Sequence, residues 1–303
     1  MDHLLTICDL TVAEVGGIFE LTAELKAKPE RFADALAGKT LGMIFQKSST
    51  RTRVSFEVGM FQLGGAALFL SSNDIQLGRG ETIADTAHVL SRYLDAVMIR
   101  TFDHQDVVDL AAFGTIPIIN GLDDLLHPCQ GLADLFTMKE VFGDLSGRKL
   151  AYVGDGNNVA HSLLMAGAKT GVDVSLAVPP NYGPQPEIVD AARDAASETG
   201  ATLQVVTHPA EAVADADVVY TDVWASMGQE AERAKRLQVF QGYQVDAKLM
   251  SAAKTTAVFM HCLPAHRGEE VATDVIDGPA SVVFDEAENR LHVQKAILLK
   301  LLT

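Results

Sequence analysis

Three cations, Lys47, Arg51 and Arg53, stand beside four hydroxyl residues, Ser48, Ser49, Thr50 and Thr52, in one short turn. The chain around them is acidic, with 40 Asp and Glu against 24 Lys and Arg and a formal net charge of -16. Like charges this close repel, and a bound anion removes the repulsion. Hydroxyls donate hydrogen bonds, and an arginine fork grips a phosphate through two of them at once. The turn follows an apolar run and opens a helical one, so unpaired backbone N–H groups and the helix dipole add to the attraction. This is phosphate recognition without the glycine-rich loop. Taken alone, the same residues also read as a hydroxyl N-cap followed by solvated arginines.

Other residues suit an amino-acid ligand or invite readings that fail. Asp222 ends the run "ADVVYTD", where its carboxylate attracts a cationic amino group; a turn or capping aspartate is the competing reading. Ser226 and the backbone around Met227 can hold further polar groups, although Met227 reads equally as apolar filling. "GDGNN" (154–158) follows an apolar run as a dinucleotide loop would, but the third glycine would have to stand where Val159 does. The following strand, "DVSLAV", runs into Pro179 with no acid placed for a ribose, so an oxidoreductase is disfavoured. His127 with Cys129, and His261 with Cys262, are each closer in sequence than usual zinc ligands, and neighbours in a strand point to opposite faces. No metal and no organic cofactor is expected. Cys262 at a strand's end reads first as a buried structural thiol.

The elements that must position these residues alternate along the chain. "TLGMIF" (40–45) is a predicted strand, followed by a helix with Val54, Val58 and Phe61 on its inner face. "AALFL", "DAVMIR" and "IPIIN" are predicted strands separated by the helices of "ETIADTAHVLSRY" and "DVVDLAAFG". "GLADLFTMKEVFG" is helical to a cap at Gly143. A second series runs through "KLAYV", "DVSLAV", "TLQVV", "ADVVYTD" and "AVFM", and closes with the amphipathic helix "FDEAENRLHVQKAILLKLLT". Strands separated by helices imply parallel sheets with helices on both faces. The expected fold is α/β, with two doubly wound parallel-sheet domains and the active site in the cleft between them. The expected domains are 1–133, with the C-terminal helix 286–303 packing back on it, and 134–285. Ligands of such sheets bind beyond the carboxyl ends of the strands, where all these motifs lie.

Composition limits the partners. An excess of acids argues against nucleic acid, which needs a broad basic face. No apolar run reaches membrane-spanning length, and Met1 is not followed by a basic segment and an apolar core, so a cytoplasmic protein is expected. Three scattered cysteines form no disulfide framework.

"SSTRTRVSFE" resembles the carbamoyl-phosphate signature of the aspartate/ornithine carbamoyltransferases, and other motifs follow in the family's order: "LGRGET", "MIRTF", "HPCQ", "GDGNN", "DVWASMG", "HCLPAHRG" and "ENRLHVQKA". The similarity spans essentially the whole chain. The Asp-x-x-x-Ser-Met-Gly and His-Cys-Leu-Pro elements resemble the ornithine branch rather than the aspartate branch. Gln46 is a departure, since many members carry an acid before Lys47.

The resemblance implies transfer of the carbamoyl group of carbamoyl phosphate to the δ-amine of L-ornithine, giving citrulline and phosphate, in a homotrimer and as a step of arginine biosynthesis. It implies that Ser49, Thr50, Arg51, Thr52, Gln76, Arg100, His127, Gln130, Cys262, Leu263 and Arg290 surround carbamoyl phosphate. Within that set Arg100, His127 and Cys262 stand nearest the chemistry, and Gln76 reaches the site of a neighbouring subunit from a loop expected to be mobile. Asn158, Asp222, Ser226 and Met227 are implied to bind ornithine, with Cys262 a polar contact to its side-chain amine. By themselves His127 reads equally as a helix-terminus histidine and Arg290 as an exposed helix arginine. Rival readings are a carbamoyltransferase for putrescine or acetylornithine, and a non-catalytic binding protein on the same scaffold.

Overall fold

Apolar runs of three to six residues, each followed by a helical stretch, dictate parallel strands joined by helical crossovers. The computed structural model, which describes residues 1–72, 80–226 and 230–303, has two such sets. They lie in two units, Met1–Leu132 with Asn289–Thr303, and Ala133–Glu288.

The first unit begins with helix α1 (Val12–Ala27), which no sequence pattern above singled out. Its start was signalled: Thr11 and Glu14 form a capping box, each side chain accepting from the other's backbone N–H. The sheet follows as β1 (Thr40–Phe45), α2 (Thr50–Gln62), β2 (Ala66–Ser71), α3 (Ile83–Leu90), β3 (Ala96–Arg100), α4 (His104–Phe113), β4 (Ile118–Leu122) and the start of α5 (Pro128–Phe142). Its strands are all parallel in the order β2-β1-β3-β4. The chain goes from β1 to one side and returns to the other for β3. The carboxyl ends of β1 and β3 therefore flank a topological switch point, where open parallel sheets bind ligands. Ile44, Val97, Ile99 and Ile118 pack with Val107 and Leu110 in a core below it.

The second unit contains β5 (Lys149–Val153), α6 (Asn158–Thr170), β6 (Asp173–Ala177), α7 (Pro186–Ala196), β7 (Leu203–Val206), α8 (Pro209–Val213), β8 (Val218–Tyr220), α9 (Arg233–Val239), α10 (Ala247–Met250), β9 (Val258–Met260) and α11 (Thr273–Ile276). Its parallel sheet has the order β7-β6-β5-β8-β9, so β5 and β8 flank its switch point. Helix α12 (Val283–Leu302) closes the chain. Both sheets match the expected class, parallel with helical crossovers.

The expected inner face of α2 is corrected. Thr52, Phe56, Gly59 and Met60 point inward, while Val54 and Phe61 are 50% and 80% exposed. The reason is partly the approach of α12. A Cβ at Gly59 would lie 3.3 Å from Lys295 Cγ and 3.7 Å from Leu291 Cδ1, so glycine lets the two helices close. Lys295 Nζ then reaches Gln62 Oε1 at 3.0 Å, and Lys26 Nζ reaches Asn289 Oδ1 at 2.7 Å. These contacts fix the part of α12 that carries Arg290.

Candidate active site

In the first unit the site is assembled around one hydroxyl. Ser49 caps α2, its Oγ accepting from Thr52 N–H at 3.2 Å, and this presents Thr52 inward as a fully buried residue. Thr52 Oγ1 accepts from Arg100 Nη1 at 3.1 Å and from Arg290 Nη2 at 2.7 Å. Both arginines are themselves buried. Arg100 is the last residue of β3, and the pairing with β4 slips there, so that Arg100 lies opposite Leu122 and Gly121 is passed over. A Cβ at Gly121 would stand 3.1 Å from Arg100 Cγ and 2.4 Å from Met98 Sδ. The absence of that atom lets the guanidinium lie across the backbone and donate to the Gly121 carbonyl at 3.4 Å.

His127 precedes α5 and is buried. The turn before it is organised by Asp123, whose Oδ1 accepts from Leu125 and Leu126 N–H at 2.8 and 2.6 Å. Burial first, and then the positive charges of Arg290, Arg100 and Arg51, hold the imidazole well below its ordinary range. His127 is thus neutral at neutral pH. Gln130 lies one turn further along α5, buried, with its N–H on the His127 carbonyl. Cys129 is buried beneath, its thiol 3.5 Å from the Asn120 carbonyl and pushed up to about 12 by desolvation. That is a structural cysteine.

Two of the three cations in the turn are not the unneutralised charges expected. Lys47 is buried, paired with Asp124 and lying 4.5 Å from the Phe102 ring centre. Arg53 pairs with Glu57 one turn on at 3.3 Å and lies over Phe69 at 3.9 Å. The cations gathered at His127 are instead Arg51, Arg100 and Arg290, drawn from α2, β3 and α12. Gln46 also has a geometric account. Its amide donates to Asp106 Oδ2 at 3.2 Å, an oxygen that also accepts from the Thr101 hydroxyl at 2.6 Å. A carboxylate at this position would face a carboxylate.

In the second unit the centre is Asp222, two residues beyond β8 and buried. Its Oδ1 accepts from Val223 N–H at 2.8 Å and from the Cys262 thiol at 3.1 Å; its Oδ2 accepts from Asn157 Nδ2 at 2.8 Å. Three donors hold this oxygen pair as a fixed acceptor. Desolvation and the neighbouring carboxylate push the Cys262 thiol well above its usual range, so it donates and does not ionise. Asn157 was missed in the sequence beside Asn158. It caps α6, with Oδ1 accepting from Val159 and Ala160 N–H at 3.0 and 3.1 Å, and its other end orients Asp222. Asn158 is the first residue of α6 and half-buried. Asp155, in the same turn, pairs at 2.7 Å with buried Arg236, which also donates to the Trp224 carbonyl at 2.9 Å. This pair ties the turn after β5 to the segment that leads from Asp222 to Ser226. Leu263 follows Cys262 with a φ of 58°, and its N–H donates to His261 Nδ1 at 2.8 Å.

Gln76 and Met227 lie outside the described residues, as does most of the loop expected to be mobile. Ligand atoms of Asp222, His261 and Cys262 come within 4.8 Å of one another, contrary to the opposite-face expectation; β9 has ended at Met260, so neither His261 nor Cys262 lies in the strand. Both His261 nitrogens are engaged, Nδ1 by Leu263 and Nε2 by Glu270 at 3.3 Å.

Residues 2–140 match the model of the aspartate/ornithine carbamoyltransferase carbamoyl-P binding domain, and residues 146–301 that of the Asp/Orn binding domain of the same family. An ornithine carbamoyltransferase of Anoxybacillus flavithermus is 59% identical over 301 residues, covering 98% of this chain and 96% of that one. Its counterpart in Bacillus subtilis is 57% identical, covering 99% and 93%. The solved structure of the Pyrococcus furiosus ornithine carbamoyltransferase superposes with a TM-score of 0.94 at 56% identity, covering 98% of this chain and 95% of that one. The anabolic enzyme of Campylobacter jejuni gives 0.94 at 43% identity, with 99% of each chain covered. Matched along both units and more than half identical to named members, the chain belongs to the aspartate/ornithine carbamoyltransferase family.

Proposed function

We propose that the protein transfers the carbamoyl group of carbamoyl phosphate to the δ-amine of L-ornithine, giving L-citrulline and phosphate, as a step of arginine biosynthesis. The observation that carries this reading is the gathering of Arg51, Arg100 and Arg290 about Thr52 and a neutral His127, beyond the switch-point strands β1 and β3. Ser49, Thr50, Arg51 and Thr52, at the start of α2, take the phosphate. Arg100, His127 and Thr52 donate to the carbonyl oxygen as negative charge builds on it, and Gln130 orients the carbamoyl amide. Loss of one such donor typically costs about 2.7–4 kcal/mol of barrier. Arg290 adds a second guanidinium to the oxygen side.

In the second unit Asp222 holds the amino-acid ammonium, with Asn158, Ser226 and Met227 on the rest of the head group. Cys262 contacts the reacting amine, and Cys262 and Leu263 border carbamoyl phosphate. The thiol is a donor, and the amine is the only nucleophile the reaction requires. Asp222 favours a free α-amino group, hence ornithine over putrescine or acetylornithine. Citrulline formation in a mixture of carbamoyl phosphate and ornithine tests the whole reading, and a panel of amines tests the choice among them. No citrulline, with both ligands bound, would leave a binding protein.

An alkylammonium has a pKa of about 10.4, and only its neutral form attacks. His127 stays neutral and Cys262 stays protonated through the neutral range, so neither adds a titration there. The rate at sub-saturating ornithine therefore rises with pH through about pH 6 to 9 as the substrate amine loses its proton. A flat profile over that span would refute this assignment of the proton.

A homotrimer accounts for the face that α2 and the edge strand β2 leave uncovered, where Val54, Phe61, Leu68 and Phe69 are all exposed. Light scattering gives three chains per particle on this reading. Mixing two differently inactivated variants, Gln76→Ala and His127→Ala, restores activity if Gln76 serves a neighbour's site, and restores none if each site is self-contained. No described helix is long and apolar enough to cross a membrane, which supports a cytoplasmic location.

A further inference from the structure

Tyr220 is the last residue of β8 and is fully buried. Its hydroxyl oxygen lies 3.1 Å from Glu286 Oε1 and 3.3 Å from Asp134 Oδ2, two carboxyl groups that are themselves buried. A phenol has one proton and donates it to one acceptor. The second contact is a hydrogen bond only when that carboxyl carries a proton of its own and donates it to the phenol oxygen. Two buried carboxylates side by side would repel, and sharing a proton removes the repulsion. Beyond its own members, the titratable groups facing this cluster are Asp222 and Cys262, both acids, and Tyr152 of β5, whose ring stacks on Tyr220 with centroids 6.0 Å apart. Burial, and then the charge of Asp134, push the Glu286 carboxyl well above the ordinary carboxylate range.

The second oxygen of Glu286 has a different partner, accepting from His261 N–H at 2.9 Å. The β8–β9 ladder ends at the pair Tyr220 and Met260. Beyond it Thr221 N–H still donates to the Met260 carbonyl at 3.3 Å, and Asp222 and Cys262 lie two residues past the last pair on each side. Glu286 grips both strands there, β8 through the Tyr220 hydroxyl and β9 through the His261 amide.

We infer that Asp134, Tyr220 and Glu286 share one retained proton at neutral pH, and that Glu286 is a positioning residue that holds the ends of β8 and β9 so that the Cys262 thiol meets Asp222. The positioning part rests on the proposed amine site; the proton does not.

Infrared spectroscopy reads the proton without reference to activity. Wild type at about pH 8 shows the C=O stretch of a protonated carboxylic acid, well above the unshifted carboxylate range, and Glu286→Gln abolishes it. In that variant the amide oxygen accepts from His261 N–H, the amide N–H₂ donates to the phenol, and Asp134 ionises. No such band in wild type overturns the shared proton. Kinetics read the positioning. Glu286→Leu, which satisfies neither strand, raises the KM for ornithine about tenfold or more and leaves the Kd for carbamoyl phosphate within about twofold. Glu286→Gln recovers most of the ornithine KM. Equal loss for both substrates, or a Gln variant as impaired as the Leu variant, overturns the positioning role. Should Glu286→Leu not fold, Tyr220→Phe releases β8 alone, and the same ornithine-selective loss is expected. A band at pH 8 in a protein that forms no citrulline would sink the proposed function and leave the proton network standing.

Discussion

Asp222→Asn lowers kcat/KM for ornithine by about 10²- to 10³-fold and leaves carbamoyl phosphate binding within about twofold. The geometry leaves an amide no comfortable orientation. With its N–H₂ at the Oδ2 position it opposes the Asn157 amide, which donates there at 2.8 Å. Turned over, it opposes Val223 N–H and the Cys262 thiol. Donors oppose each other either way, and the charge proposed to attract the substrate ammonium is gone as well. The substitution keeps size and shape, so the melting temperature separates loss of function from loss of fold. Calorimetric titration of each substrate decides the assignment. Carbamoyl phosphate binding lost with ornithine use retained would mean that the two units have exchanged roles.

The parts of this site that the sequence made legible are those carried by local pattern. Short apolar runs with helical spacing between them specify parallel strands, and a hydroxyl cap after "TLGMIF" marks where α2 begins. Pairs distant in sequence carried no such signal. Asp155 and Arg236 are 81 residues apart, and Arg290 reaches Thr52 across 238. Nothing in the spacing of either residue anticipates its partner. Helical phase was the third difficulty. In α2 both Val54, Val58, Phe61 and Thr52, Phe56, Gly59, Met60 satisfy the period, and contacts distant in sequence, among them the approach of α12 at Gly59 and the guanidiniums on Thr52, go with the second set. Adjacent asparagines posed the same problem on a smaller scale. Asn157 and Asn158 are chemically alike, and which one caps α6 depends on where the helix begins. His261 and Cys262 lie past the end of β9 at Met260, an end that apolar content alone does not mark, so strand alternation does not govern them.

Arg100→Ala lowers kcat by about 10²- to 10³-fold, as expected for removal of one preorganised donor from a developing oxyanion. Arg100→Lys recovers little of this. The guanidinium spans the Thr52 hydroxyl and the Gly121 carbonyl from a single nitrogen, a geometry that the bulge at Gly121 makes room for. An ammonium is a point charge on a flexible stem and does not reproduce the planar fork. A second readout tests the electrostatics directly. Arg100 is one of three cations that disfavour the imidazolium of His127, so its loss raises the His127 pKa. The rise is partial, because burial is the larger cause and survives the substitution. NMR titration of the His127 ring should therefore move to higher pH in Arg100→Ala while staying below the free-histidine value of about 6.5. An unmoved midpoint would separate Arg100 electrically from His127, and with it from the carbonyl site. A midpoint at the free value would mean instead that the substitution had opened the pocket to water.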